Sequence, residues 1–282
     1  MHRRTWVLHV NVAIIGRGQV GRALATALRA KAISCRSYPF RRGLPARLDA
    51  YDIVLLCVRD GQLPEATRRL SVARLSPRSV VAHVAGALGP DVLTPLKTKC
   101  SGIAQMHPYA SILGSAKLRS FRGVPFLLTG DRRAIPVLRR LIRALGATAF
   151  TADAMDRTKY HLSAALLANG TVTLFRLAEQ VLEDAGVDAR WHAKLLLSLL
   201  DSVRFNLARV GSTAALTGPI RRGDAATVER HLAVLERRNS ALSAVYRGLG
   251  LAQLDIAAEL HELSPKQRRV IRALLEERRA CV

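Results

Sequence analysis

Short, nearly unbroken apolar runs alternate with helix-like spacings through the first half of the chain. The runs at 7–15, 52–58, 79–84, 102–106 and 124–128 read as strands, that at 52–58 as one covered on both faces, because a parallel strand between helices shows no apolar–polar alternation. Weaker runs at 31–38 and 147–151 add two strands. Helices are expected after Gly21, through Pro64 to Leu75, and from Ala134 to Leu145, where Gly146 ends the last. From Asp153 onward no strand signal remains. Residues 154–185 read as one helix of about 30 residues, roughly 45 Å long, stopped by Gly186. A second helix spans 189–210, Asp224 caps a third, and Asn239 starts a fourth. Ser264-Pro265-Lys266-Gln267 is a capping box with proline at the first helical position, opening a helix to about Arg279. The expected fold is therefore α/β: a doubly wound, mainly parallel sheet over 1–152, then an all-α domain with a long first helix over 153–282.

Composition narrows the possible partners. The 282 residues carry a formal charge of +23, which would ordinarily suggest nucleic acid or an anionic membrane. The arginines are scattered, however, with no basic block, and aromatic residues make up only 5% of the chain, too few for a base-stacking platform. We expect no nucleic-acid and no membrane partner; small anionic ligands fit the charge equally well. Cys35, Cys57, Cys100 and Cys281 are widely spaced, with no zinc-like cluster, so reduced thiols in a cytoplasmic protein and no metal are expected. Arg3 and Arg4 precede an apolar run, but it flows directly into a glycine turn and reads as the first strand.

That turn carries the chemistry. Gly16, Gly18 and Gly21 have G-x-G-x-x-G spacing between a strand and a helix. Gly16 permits a tight turn, Gly18 lets a pyrophosphate approach, and Gly21 lets helix and strand pack closely. The backbone from Gly16 through Arg17, Gln19 and Val20 would then meet the pyrophosphate at a helix N-terminus. A site selecting NAD places an acid about 20 residues beyond the first glycine. None is present: after Gly21 the first acid is Asp49, and the region holds Arg36, Ser37, Arg41 and Arg42. Guanidinium groups suit a 2′-phosphate, so NADP(H) is the expected cofactor. Val58 and His83, at carboxyl ends of strands, would line the same site. Asp60 either faces the ribose or caps the next helix.

Several stretches, taken together, resemble one family. His83-Val84-Ala85-Gly86, Met106-His107-Pro108, Tyr160-His161 with Asn169, and Thr217-Gly218-Pro219-Ile220-Arg221-Arg222-Gly223-Asp224 with His231 are similar to Rossmann-like proteins whose helical C-terminal domain is a domain of unknown function. The wider architecture resembles the superfamily of 6-phosphogluconate dehydrogenase, 3-hydroxyacid dehydrogenases, ketopantoate reductase and pyrroline-5-carboxylate reductase. The resemblance implies an NADPH-dependent oxidoreductase acting on a small anionic oxo or imino acid, ketopantoate-like in the specific case, and a homodimer held by the helical domain. One departure matters. The hydroxyacid dehydrogenases carry a lysine four residues before the asparagine that Asn169 matches; here that position is Ala165. A non-catalytic NADP(H)-binding sensor is therefore the alternative.

With that lysine missing, a proton must come from elsewhere. Imidazoles titrate near neutral pH, which makes His161 and His107 the leading donors. His161 and Asn169 sit about 80° apart on a helix, and Asn169 and Thr173 share a face among leucines and alanines. As buried polar groups they would contact substrate or bond internally. Arg222 would clamp a substrate carboxylate or pair with Asp224.

Overall fold

The computed structural model describes residues 10–113, 121–152, 154–236 and 240–276. Val7, Leu8 and His9 of the expected first strand, Asp153, Asn239 as a helix start, the 277–279 end of the last helix, and Cys281 lie outside the described residues. The chain forms two compact units, divided between Thr171 and Val172.

The first unit is built on a seven-stranded sheet. Its strands are β1 (Asn11–Ile15), β2 (Ser34–Tyr38), β4 (Ile53–Leu56), β6 (Val80–His83), β7 (Gly102–Pro108), β8 (Pro125–Gly130) and β9 (Thr148–Phe150), in the order β2-β1-β4-β6-β7-β8-β9. Every neighbouring pair is parallel except β7 with β8. The continuous apolar runs have the expected cause. Val12 and Ile14 of β1 and Ile53 and Leu55 of β4 face one core, shared with helices α1 (Gln19–Ala30) and α3 (Ala134–Ala144). Their neighbours Ala13, Ile15, Val54 and Leu56 face the other core, shared with α2 (Leu63–Val72) and the 3₁₀ segment Pro90–Leu96. Successive side chains alternate sides, and both sides are dry.

Chain order reverses between β1 and β4, so the crevice beyond their carboxyl ends is the place where such sheets bind ligands. Of the boundaries that differ from expectation, two have a clear tertiary cause. The helix expected to reach Leu75 stops at Val72, because Arg74–Leu75 (β5) pairs with Arg47–Leu48 (β3) in a small parallel ladder. Asp49 binds both Arg47 and Arg74 and holds this ladder together. The strand expected to stop at Met106 runs on through His107 and Pro108, which pair with Leu127 and Phe126.

Helices α4 (Arg157–Asp184), α5 (Ala189–Ala215), α6 (Ala225–Glu236), α7 (Ser240–Glu259) and α8 (Pro265–Glu276) complete the chain. No strand occurs among the described residues beyond β9. In α5 the backbone leaves helical geometry at Gly211 (φ 78°), one residue past the end predicted from sequence. Asp224 caps α6 by accepting the Thr227 N–H at 3.0 Å. The capping box forms as read: the Gln267 N–H donates to Ser264 Oγ at 3.3 Å, and the Ser264 N–H donates to Gln267 Oε1 at 3.0 Å. Ile220, Val228, Leu232, Leu254, Ile271 and Leu275 form the core of the second unit.

Neither α4 nor α5 has a buried residue. Asn169 and Thr173 are therefore exposed rather than buried as expected. The leucines around them, among them Leu166 and Leu167, are exposed too. No described helix is long and apolar enough to cross a membrane.

Candidate functional site

The first half of the site is the glycine turn. Gly16 has φ +112°, and a Cβ there would lie 2.3 Å from the Cys57 carbonyl oxygen. Gly21 is equally confined, with a Cβ meeting the Gly16 carbonyl oxygen at 2.4 Å. Gly18 is not: its Cβ would find only the Cys57 oxygen, at 3.9 Å. Gly16 and Gly21 thus hold β1, β4 and α1 together, whereas Gly18 leaves open space over the start of α1. No side chain caps α1, so the first-turn N–H groups of Gln19, Val20 and Gly21 remain for an anion. The Val20 side chain itself packs against the core.

A cleft of about 290 Å³ opens here, lined by Gly16, Arg17, Gly18, Arg41, Val58 and Arg59 among others. Arg17 reaches the end of β2, donating to the Ser37 carbonyl at 3.1 Å. The Ser37 hydroxyl is buried with no hydrogen-bond partner. Arg36 lies 5.5 Å over the Tyr38 ring, and Arg41 and Arg42 are exposed on the 3₁₀ turn Phe40–Arg42. Arg59, Gln62 and Phe40 also line the cleft and were not singled out from sequence; Arg59 carried a signal, being a cation directly after the apolar run that ends at Val58.

The second half lies beyond β6 and β7. His83 is fully buried, and both its nitrogens are engaged: Nδ1 accepts the Ala85 N–H at 3.2 Å, and Nε2 lies 3.0 Å from the Gly89 carbonyl. It is thus the Nε2–H tautomer, and burial pushes its imidazole down to about 4. With these two bonds the ring braces the loop from Ala85 to Gly89. Gln105, also buried, donates to the Ala85 and Gly86 carbonyls at 2.8 and 3.3 Å. Its own oxygen accepts from Thr129 Oγ1 at 3.2 Å and Arg157 Nε at 3.4 Å.

Over this braced loop two imidazoles meet. A Cβ on Gly86 would fall 2.8 Å from His107 Nε2 and 2.9 Å from His161 Nδ1, so only glycine lets both rings approach. His161, on the first turns of α4, is exposed. His107 is half-buried; burial first, then the nearby His161 and His83, lowers it to about 4. Its Nδ1 lies 2.8 Å from the Tyr160 hydroxyl. The Tyr109 ring packs at a tilt against Tyr160, with ring centres 5.2 Å apart, and its hydroxyl bonds Ser163 at 2.7 Å. Sequence reasoning brought out His107 and His161, held Gly86 only as the end of the stretch His83–Gly86, and missed Gln105 and Arg157. Tyr160 was visible only as the neighbour of His161.

The remaining expected residues lie apart in the chain's division. Asn169 belongs to the first unit, Thr173 and Arg222 to the second. The Asp224 carboxylate takes the Thr227 hydroxyl at 2.7 Å, and its bonds from Thr227 first, with the charges of Arg230 and Arg222 after them, hold it below its ordinary range. Arg221, next to Arg222, is committed, making a two-pronged bond to Glu262 at 2.7 and 2.8 Å. Among the described residues no cluster of three or more His, Cys, Asp or Glu is placed to hold a metal.

The chain matches the Rossmann-like domain over residues 44–108 and DUF2520, a domain of unknown function, over 124–253. No curated protein matches. Among solved structures it is similar to BF3122 of Bacteroides fragilis, provisionally designated an NADP oxidoreductase (17% identity, 88% of this chain and 98% of that one, TM-score 0.73). It is similar also to the imine reductase of Myxococcus stipitatus in complex with NADP+ (16%, 89% and 94%, 0.57). A third likeness is to the pyrroline carboxylate reductase of Plasmodium falciparum with NADP bound (12%, 95% and 98%, 0.53). At these identities the likeness establishes a shared fold.

Proposed function

We propose that this chain, which joins a Rossmann-like domain to a DUF2520 domain, is an NADPH-dependent oxidoreductase reducing the C=O or C=N of a small anionic oxo or imino acid, ketopantoate-like in the first instance. One observation carries the reading. An open glycine turn and a pair of imidazoles both stand beyond the carboxyl ends of strands of one sheet, β1 and β4 for the turn, β6 and β7 for the pair. A redox cofactor and a proton source are the two components such a reduction needs.

The residues present fit the cofactor. Gly18 and the uncapped start of α1 suit the pyrophosphate, and Arg17, Arg36, Ser37, Arg41 and Arg42 suit a 2′-phosphate. The unpartnered Ser37 hydroxyl supports this assignment, since a buried hydroxyl without a partner is costly unless a ligand completes it. When bound, the dihydronicotinamide would supply the hydride. The proton for the new alkoxide or amine comes from the histidine pair, with His161 open to water for recharging. Asn169, Thr173 and Arg222 are the candidate substrate contacts. A second copy of the chain is the partner we assign to the exposed apolar face of α4 and α5.

The sensor reading is favoured by Ala165, which stands where the hydroxyacid dehydrogenases carry lysine. One experiment separates the two. NADPH is expected to bind at micromolar concentration by fluorescence titration, NADH at least ten-fold more weakly. Arg41→Ala should raise the Kd for NADPH about ten-fold, the order of one charge-assisted contact, and leave NADH unchanged. NADPH oxidation with a panel of 2-oxo and imino acids then tests catalysis; tight binding with no turnover on any acid supports the sensor. Equal affinity for both dinucleotides would refute the arginine assignment.

A further inference from the structure

The imidazole pair is not symmetrical. His161 is exposed on α4, whereas His107 is fixed by β7 and half-buried. The groups facing His107 are Tyr160 and His161 from α4 and His83 from β6. The Tyr160 phenol is itself partly buried, and burial raises it further above its ordinary range, so it keeps its proton. Among the described residues that hydroxyl has one hydrogen-bond partner, His107 Nδ1. Were Nδ1 protonated, the phenol would accept and its own proton would have no acceptor among the described residues. The pairing that satisfies both groups has Tyr160 donating and Nδ1 accepting, which leaves the ring's proton on Nε2. His83 on the adjacent strand is the same tautomer by the same logic, with the Ala85 N–H as its donor.

We propose that Tyr160 is the positioning residue of this site: its hydroxyl locks His107 as the Nε2–H tautomer, so that a fixed N–H points over Gly86 beside His161. The two histidines then have different tasks. His107 is a hydrogen-bond donor that polarises the acceptor oxygen or nitrogen of the substrate and does not give up its proton. His161 delivers the proton and regains it from water. A neutral imidazole is the better fixed donor here, because it places no second positive charge beside a protonated His161. The division of tasks rests on the reductase reading; the tautomer does not.

The test is a long-range ¹H–¹⁵N spectrum of the imidazoles in the full-length protein without cofactor, with the His107 signals identified as those lost in His107→Gln. The expected result at pH 7 is a neutral His107 with the proton on Nε2. In Tyr160→Phe the same ring is expected to become a mixture of tautomers and to gain charge at higher pH than in the wild type. A wild-type His107 protonated on Nδ1 overturns the proposal, and so does a Tyr160→Phe spectrum in which His107 is unchanged. If Tyr160→Phe fails to fold, the wild-type tautomer alone decides. Neither readout involves turnover. Failure of the reductase reading would leave the spectrum as expected, and failure of the tautomer would show whatever the reaction.

Discussion

Gly16→Ala is expected to remove dinucleotide binding by weakening the fold itself, whereas Gly18→Ala removes binding alone. At Gly16 a methyl group would lie 2.3 Å from the Cys57 carbonyl oxygen and 2.7 Å from its carbon, in a backbone with φ +112°. Neither contact is with a flexible side-chain end, so β1 and β4 must separate at the point where the Cys57 N–H donates to the Ile15 carbonyl at 2.7 Å. Strain at a non-glycine residue in that region, added to overpacking against backbone, is worth about 3 kcal/mol or more. Thermal melting should show a drop of several degrees, with NADPH affinity lost in proportion. At Gly18 the methyl group would be 3.9 Å from its nearest neighbour, so stability should stay within about 0.5 kcal/mol of wild type. The same methyl fills the space over the start of α1, and NADPH affinity should fall at least ten-fold. If Gly18→Ala binds NADPH normally, the pyrophosphate does not lie on this turn. If Gly16→Ala melts like the wild type, the confinement of that residue has been misjudged.

The second large effect falls on the chemistry. His161→Ala is expected to lower kcat by about 100-fold or more, the usual contribution of a positioned general acid, while leaving the NADPH Kd unchanged. Because His161 is exposed and the substitution leaves a gap beside Gly86, free imidazole added to the assay should restore part of the rate. Rescue separates a lost proton donor from a distorted site, which added imidazole would not repair. Undiminished turnover in His161→Ala would remove this residue from the mechanism. Gly86→Ala is the structural counterpart. It adds a methyl group 2.8 Å from His107 and 2.9 Å from His161, and so should displace both rings without removing either.

What was legible in the sequence were features whose physical cause is local. The turn from Gly16 to Gly21 shows because Gly16 and Gly21 serve backbone needs that no other residue meets. The Ser264–Gln267 box shows because its reciprocal bonds span three residues. The strands show because two dry faces demand unbroken apolar runs, as at 53–56. What stayed hidden depends on contacts between distant parts of the chain. Nothing near His83 in sequence announces that its Nε2 meets the Gly89 carbonyl six residues on. Gln105 and Arg157 look unremarkable 52 residues apart, yet they meet behind one loop. The β3–β5 ladder depends on the Arg74 N–H finding the Ala46 carbonyl at 2.8 Å, a tertiary contact that overrides the helical pattern reaching Leu75. Asn169 and Thr173 read as buried because leucines surround them in sequence, yet Leu166 and Leu167 are themselves exposed.

That bare face also bears on thermodynamics. Along α5, Leu199 and Phe205 are 62% and 56% exposed, and no residue of that helix is buried. A helix of 27 residues with this much apolar surface in water gains little from its own chain. If a second copy covers it, part of the free energy of folding is released only on association. Unfolding is then second order, and the melting temperature should climb steadily with protein concentration. A dilution series in a calorimeter should show this shift. A melting temperature independent of concentration across the range where the chain sediments as one species would mean that the face is covered by something other than its twin. With coupled assembly, the amount of the protein in a cell would determine how much of it is folded.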